Sequence, residues 1–410
     1  MRKLRTIAAL VAVLSLAAGP LLQQEVRVDE RSVLAGLAPG VAFSEKAGSP
    51  LHYRSDSGVA AFNTHDVRPE IRGYAGPIKV LVVLGSDGRI KGLKILSHRE
   101  TKNYVHYLET PAYLGRFIGK SVQDRFEIDK DIDGISRATV SVEALATSIR
   151  DSSRAVAADV YGIRTAPEGP AGAGNRSWLW YSLLVLFGLS GYVLTRRERQ
   201  YRSLRDISLV ASIAVVGLFL ASPFSVLHIF NLVLLRPSSS LLWIVIVGST
   251  ILSVPVAGRV YCGWLCPFGA LSELIGRFPL RKWSVPQELD DRWRNLKYGL
   301  LAIISVLVFL SGKVDYGNYE VYVTLFAFHG TVFAWVLVIL SLAANLRIER
   351  FWCRYLCPVA ALTGLFCRKA PGYVSRYDCP MGNKPDPEIA ECIRCNRCYQ
   401  VKTPAVPGPS

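Results

Sequence analysis

The sequence predicts an α+β exported domain, an all-α polytopic membrane domain of about five helices and a small cysteine-rich tail, in that order. Three observations carry this prediction. Half of the 410 residues are apolar, and a series of long apolar segments runs from Trp178 onward. The motif Tyr261-Cys262-Gly263-Trp264-Leu265-Cys266-Pro267-Phe268-Gly269 returns in altered form as Trp352-Cys353-Arg354-Tyr355-Leu356-Cys357-Pro358, which marks an internal repeat. All nine cysteines lie after residue 261.

That last asymmetry argues against a disulfide framework and for thiolate ligands kept reduced on the cytoplasmic side. The net charge of +16 does not point to nucleic acid, because the basic residues are spread among loops beside apolar runs instead of along one soluble face. No direct nucleic-acid contact is expected.

Residues 1–22 open with Arg2, Lys3 and Arg5, then an apolar run from Ile7 to Ala18, the pattern of a signal peptide or anchor. The run is shorter than the roughly 20 residues that span a bilayer, which favours cleavage near Ala18. Residues 24–165 form the exported domain. Leu81 to Leu84 and Gly92 to Leu96 flank Gly85-Ser86-Asp87-Gly88 and predict a hairpin. Val142, Leu145, Ile149 and Val156 share one helical face within Val140 to Ala157. Residues 166–176, rich in Gly, Ala and Pro, make a linker.

Residues 177–346 hold the membrane segments, near Trp178–Thr195, Ile207–Val226, Leu241–Gly258, Tyr298–Leu310 and Val332–Leu346. The loop 196–205 carries five arginines, the loop 259–297 seven Arg or Lys and the tail from Arg347 ten, whereas 227–240 and 311–331 carry only Arg236 and Lys313. The excess of positive charge places the first three in the cytoplasm. The domain before the linker then lies outside, and both Cys-x3-Cys-Pro motifs lie at the cytoplasmic ends of their helices.

The tail, 347–410, centres on Cys392-Ile393-Arg394-Cys395-Asn396-Arg397-Cys398, with Cys379-Pro380 upstream. Cys-x2-Cys-x2-Cys wraps three thiolates round one face of a [4Fe-4S] cube, and a remote Cys-Pro supplies the fourth, so this is a ferredoxin-like tail. The competing chemistry is a zinc knuckle, which favours paired Cys-x2-Cys units. Cys262, Cys266, Cys353 and Cys357 form a second candidate metal set for iron–sulfur or a soft metal. Against that stands the bland reading in which small buried cysteines precede helix-ending prolines. Cys367 has no spaced partner and is expected to pack. His228 and His329 fall in connections beside apolar segments, as interfacial histidines or as contacts for a quinone or metal.

These residues resemble a known family. The stretch from Pro69-Glu70-Ile71-Arg72-Gly73-Tyr74 through Asp87-Gly88-Arg89-Ile90, His98-Arg99-Glu100-Thr101 and Asp133 to Ser141 is similar to the flavin-binding domain of the NosR/NirI proteins. The repeated Cys-x3-Cys-Pro and the cysteine-rich tail follow in the same order. The resemblance implies an inner-membrane iron–sulfur flavoprotein of the kind that supports nitrous-oxide or nitrite reductase. It implies FMN esterified to Thr139, within Ser136-Arg137-Ala138-Thr139, by a flavin transferase. Arg137 stands where the family motif has Gly; an arginine there either pairs with the phosphate or alters the turn. Taken alone, Thr139 is a helix N-cap. His98, Glu100 and Thr101 are implied to lie near the flavin ring.

The implied function is electron transfer between a cytoplasmic or quinone source and periplasmic FMN, serving a copper or haem reductase or its assembly factors. Two alternatives belong to other classes: a membrane redox sensor of denitrification genes, and a copper-handling polyferredoxin.

Overall fold

The computed structural model describes Leu10, Leu14, and residues 28–74, 76–98, 100, 106–128, 130–133, 139–165, 176–235, 238, 240–283, 285–312, 314–317, 319–367, 379, 381 and 391–397. The expected signal segment and linker lie almost wholly outside them. The chain divides into two compact units, one built mainly of Gln24–Asn175 and the other of Arg176–Leu235 and Val245–Ser410.

The first unit is an antiparallel sheet of β1 (Tyr53–Arg54), β2 (Ala60–Asn63), β3 (Lys79–Leu84) and β4 (Ile90–Ser97), paired in that order. The expected hairpin is β3–β4. Its turn closes with the Gly88 N–H donating to the Gly85 carbonyl at 2.9 Å, and Gly88 takes φ 71°, a conformation open to glycine at no steric cost. Alternate side chains leave opposite faces of a strand, so β3 serves two cores. Val80, Val82 and Leu84 join Phe62 on one face, where Val142, Leu145, Ile149 and Val156 of a long helix cover them. Leu81 and Val83 join Ala61 and Tyr53 on the other, beneath Leu34 of α1 (Glu30–Leu37). Burial on both faces explains why β3 is apolar throughout instead of alternating.

The long helix, α2 (Thr139–Tyr161), bears the four expected apolar residues at zero exposure. Arg154 donates to the Val122 and Asp124 carbonyls at 2.9 and 3.0 Å, and Arg150 to the Arg125 carbonyl at 3.3 Å. The loop that leads toward Thr139 is thereby stapled to the helix that Thr139 opens.

The second unit is all helical: α3 (Ser177–Arg197), α4 (Arg202–Ala211, continuing as π-helical turns through Phe219), α5 (Val226–Val233), α6 (Leu241–Ala257), α7 (Pro267–Gly276), α8 (Leu296–Ser311), α9 (Val321–Ala327), α10 (Val332–Asn345), α11 (Phe351–Tyr355) and α12 (Pro358–Phe366). Among the described residues two helices are long and apolar enough to cross a membrane, Ser177–Arg197 and Glu288–Ser311, and α9 with α10 makes a third if that pair, bent by 104°, is one span. The expected second segment is divided between α-helix and π-helix and breaks before α5, and α6 reaches only 17 residues with Pro255 inside it. Pairwise packing in this unit relies on small residues: a Cβ on Gly191 of α3 would lie 2.7 Å from the Trp264 ring.

Candidate cofactor sites

In the first unit β4 ends at Ser97, and the chain turns through His98 into Glu100. The Glu100 side chain is buried and accepts a hydrogen bond from the Ser141 hydroxyl at 2.8 Å, one turn into α2. Gly73 is packed so closely that an added Cβ would meet Glu100 Oε1 at 2.5 Å. The Glu100 N–H donates to His98 Nδ1 at 3.1 Å, which makes Nδ1 an acceptor, leaves the ring proton on Nε2 and directs it to Glu109 Oε1 at 2.9 Å. Glu100 is thus brought against the first turn of α2, not left in a free loop, and Ser141 is a member of this site that sequence reasoning passed over. Thr139 is the first residue of α2; its side chain, and Thr101, Ser136 and Ala138, lie outside the described residues. A 23-residue helix that begins there offers first-turn backbone N–H groups with no partner inside the helix and the positive end of a dipole, which suit a phosphate.

In the second unit the two repeats fold alike. Cys266 donates its N–H to the Tyr261 carbonyl at 2.8 Å, and Cys357 donates to the Trp352 carbonyl at 2.9 Å, five residues back in each. Each Cys-Pro then opens a helix with proline in its first turn, where the missing N–H costs nothing. Cys266 Sγ accepts from the Gly269 N–H and Cys357 Sγ from the Ala360 N–H, both at 3.4 Å. The thiols of Cys262, Cys266, Cys353 and Cys357 lie within electrostatic reach of one another. The repeat therefore brings four thiols into one neighbourhood.

The tail is docked on this neighbourhood. Trp264 Nε1 donates to the Arg394 carbonyl at 3.0 Å, Arg394 Nε donates to the Ala257 carbonyl at 3.0 Å, and Asn396 Nδ2 donates to the Tyr192 carbonyl and Thr195 Oγ1 at 2.8 and 2.9 Å. Glu391, beside Cys392, accepts from Lys297 Nζ at 2.5 Å, Arg259 Nη1 at 3.2 Å and the Tyr298 hydroxyl at 3.0 Å. Burial pushes the Glu391 carboxyl up, but Lys297 and Arg259 outweigh it and hold it down at about 2. Burial pushes the Cys392 thiol up, and neighbouring Cys395 and Cys367 push it further.

Arg394 and Asn396 both adopt φ 59°. Left-handed residues on either side of Cys395 are a feature shared with the backbone nests that bind anions around iron–sulfur centres. The left-handed Arg394 costs about 1–2 kcal/mol, so its docking contacts must hold it there.

Among the described residues no three Cys, His, Asp or Glu side chains converge on one point as a finished coordination sphere. The donor set nevertheless fits an anionic metal–thiolate centre: four soft thiols, backbone N–H groups directed at sulfur, and buried arginines alongside. Cys379 and Cys367 are half-buried, and Cys398 lies outside the described residues. His228 lies inside the helical segment Val226–Val233, α5. It is buried, stacked on Phe224 at 5.7 Å between ring centroids, and caps α5 with Ser225.

Comparison with known proteins finds two matching families. The FMN-binding domain family matches residues 73–153, which include His98, Glu100, Thr101, Ser136, Ala138 and Thr139. A 4Fe-4S binding domain family matches residues 236–286 and 328–371, the two segments that hold Cys262, Cys266, Cys353 and Cys357. Protein NirI of Paracoccus denitrificans is 34% identical over 205 residues, 45% of this chain and 29% of NirI. Regulatory protein NosR of Pseudomonas aeruginosa is 29% identical over 191 residues, 41% of this chain and 26% of NosR. Putative electron transport protein YccM of Escherichia coli is 31% identical over 154 residues, 34% of this chain and 40% of YccM. The chain thus spans well under half the length of these three relatives. No solved structure matches.

Proposed function

We propose that the chain is a NosR/NirI-type protein, a transmembrane electron-transfer flavoprotein linking a cytoplasmic or quinone source to periplasmic FMN; the FMN-binding and 4Fe-4S matches and the similarity to NirI and NosR support this reading. The observation that carries the proposal is the docking of the Cys392–Cys395 loop onto the Cys262–Cys266 turn, which joins the cysteine sets at one end of the helical unit. When bound, iron–sulfur clusters pass single electrons and FMN accepts or gives one or two.

The residues have distinct tasks. Thr139 opens α2, and an ester phosphate on it would meet the N–H groups of the helix's first turn. Ser141 holds the Glu100 carboxylate, and Glu100 fixes His98 in the tautomer that keeps its proton on Nε2. Cys262, Cys266, Cys353 and Cys357 supply one thiolate set; Cys392, Cys395 and Cys398, with Cys379, supply the other. The charge bias of the loops supports an outer FMN domain and an inner cysteine end, with five crossings of which the weaker ones are bent or broken. The partners that suit this arrangement are a periplasmic copper or haem reductase or its assembly factors, with a flavin transferase for maturation.

The similarity to regulatory protein NosR favours one second reading, in which a partner senses the redox state of this chain. Both readings meet the same experiment: intact mass and EPR of the anaerobically purified full chain, coexpressed with a flavin transferase, beside Thr139→Ala. The expected result is a mass increment of one FMN that Thr139→Ala abolishes, together with a reducible iron–sulfur signal that it leaves in place. A flavin-free wild type with metal on its cysteines sinks the electron carrier and leaves metal handling or sensing.

A further inference from the structure

The two repeats share more than their cysteines. Arg259 and Arg350 each stand three residues before the first cysteine of their motif, and their exposures are 1% and 0%. Arg350 Nη1 donates to the Cys262 carbonyl at 2.8 Å, so the arginine of the second repeat grips the first motif, while Nη2 pairs with Glu273 at 2.7 Å. Its charge acts on Cys353 and Cys395. Arg259 pairs with Glu391 and acts on Cys262 and Cys367.

Each arginine is held in place by a buried carboxylate: Glu273 is shared by Arg205 at 2.5 Å, Arg350 at 2.7 Å and Arg397 at 3.0 Å, and Glu391 takes Arg259 at 3.2 Å. Thiolates around an iron–sulfur core outweigh its positive charge and leave the whole centre anionic, so cations buried beside the repeat cysteines are placed to meet that charge out of water, where it acts at full strength.

We propose that Arg259 and Arg350 are the counter-charges of the cysteine centre, positioning residues that raise its reduction potential. This rests on the reading that the repeat cysteines hold an iron–sulfur centre. Reduction adds one electron and one negative charge to that centre. Buried cations beside it favour the reduced form more than the oxidised one, because the more anionic state gains more from the same field.

The test is an EPR-monitored redox titration of the full chain in detergent, after iron and acid-labile sulfide have been counted in every sample. Arg350→Gln and Arg259→Gln should each lower the reduced-to-oxidised ratio at a fixed potential at least tenfold, a fall of about 59 mV for one electron. Arg350→Lys, which keeps the charge, should recover most of that fall. Glu273→Gln, which removes the shared carboxylate, should move the potential upward, and opposite signs are beyond a residue that only packs. Should the buried variants not fold, Arg397→Gln sits a quarter exposed on the same carboxylate and should produce a smaller fall. Full iron with unmoved potentials overturns the proposal alone, whereas a wild type without iron or sulfide overturns the reading beneath it.

Discussion

Gly263→Ala is the change that most directly separates a docked tail from a free one. A Cβ at this position would stand 2.0 Å from the Ile393 carbonyl oxygen and 3.2 Å from its carbon. Both atoms are backbone, so no rotamer change relieves the clash, and the Cys392–Cys395 loop must lift. Overpacking of this kind costs about 1–3 kcal/mol, and loss of the bond from Trp264 Nε1 to the Arg394 carbonyl adds about 1 kcal/mol. Together these come to about 2–4 kcal/mol, which raises the population of the lifted tail about 30- to 700-fold. Hydrogen exchange of the 391–397 amides and alkylation of Cys392 and Cys395 in metal-free protein should accelerate by that range. Gly299→Ala is the control, because nothing lies within 4 Å of a Cβ there. It sits inside α8, where alanine favours the helix by about 1 kcal/mol. Protection of 391–397 that is unchanged in Gly263→Ala would refute the docking argument.

Two further outcomes concern the first unit. Ser141→Ala removes a hydrogen bond to the buried Glu100 carboxylate, and the expected loss is about 1.5–3 kcal/mol by denaturant titration, with lower FMN occupancy by mass. Glu30 ties α1 to the sheet through the Tyr53 hydroxyl, Lys46 and Asn63; burial raises its carboxyl, but these partners outweigh burial and hold it below its ordinary 4.5. The folded-state value is therefore the lower one, so the stability it gives is complete above the ordinary carboxylate range and fades as pH falls through the folded-state value. Glu30→Gln should flatten the acid limb of a thermal-melting profile, and an unchanged limb would remove Glu30 from the account.

How far these sites were legible follows from the reach of each signal. The β3–β4 hairpin and α2 rest on patterns that repeat within a few residues, an Asp-Gly turn and a 3.6-residue period; both are present, the strands within two residues of expectation and α2 beginning one residue before it and ending at Tyr161, beyond the expected Ala157. The burial of Glu100 was not legible, because its partner Ser141 is 41 residues away and a carboxylate after a strand carries no mark of burial. The joining of the tail to the repeats was not legible for the same reason. One signal existed and was passed over: Gly263 stands where the second repeat has Arg354, and a glycine that breaks a repeat marks a place where another backbone comes close. Spans were harder than strands, since hydropathy counts residues and does not see the left-handed Phe328 that separates α9 from α10.

That same departure from symmetry explains why a repeated unit has a single tail. Arg259 and Arg350 are equivalent, as are the turns that end in Cys266 and Cys357 and the helices they open. Their surroundings differ at the residue after the first cysteine. In the first repeat Gly263 leaves room for the Ile393 carbonyl, and Trp264 then donates to the next one along. In the second repeat the matching surface is filled by Arg354, whose guanidinium turns to Asp290 at 2.6 Å, with the Tyr355 hydroxyl on the same carboxylate oxygen. A backbone segment therefore docks on one motif only, and Glu391 completes the ion pair of the arginine belonging to that motif. Electrostatics and sterics select the same side. The first repeat is the face through which the tail cysteines meet the repeat cysteines, and the second is the face closed by its own ion pair.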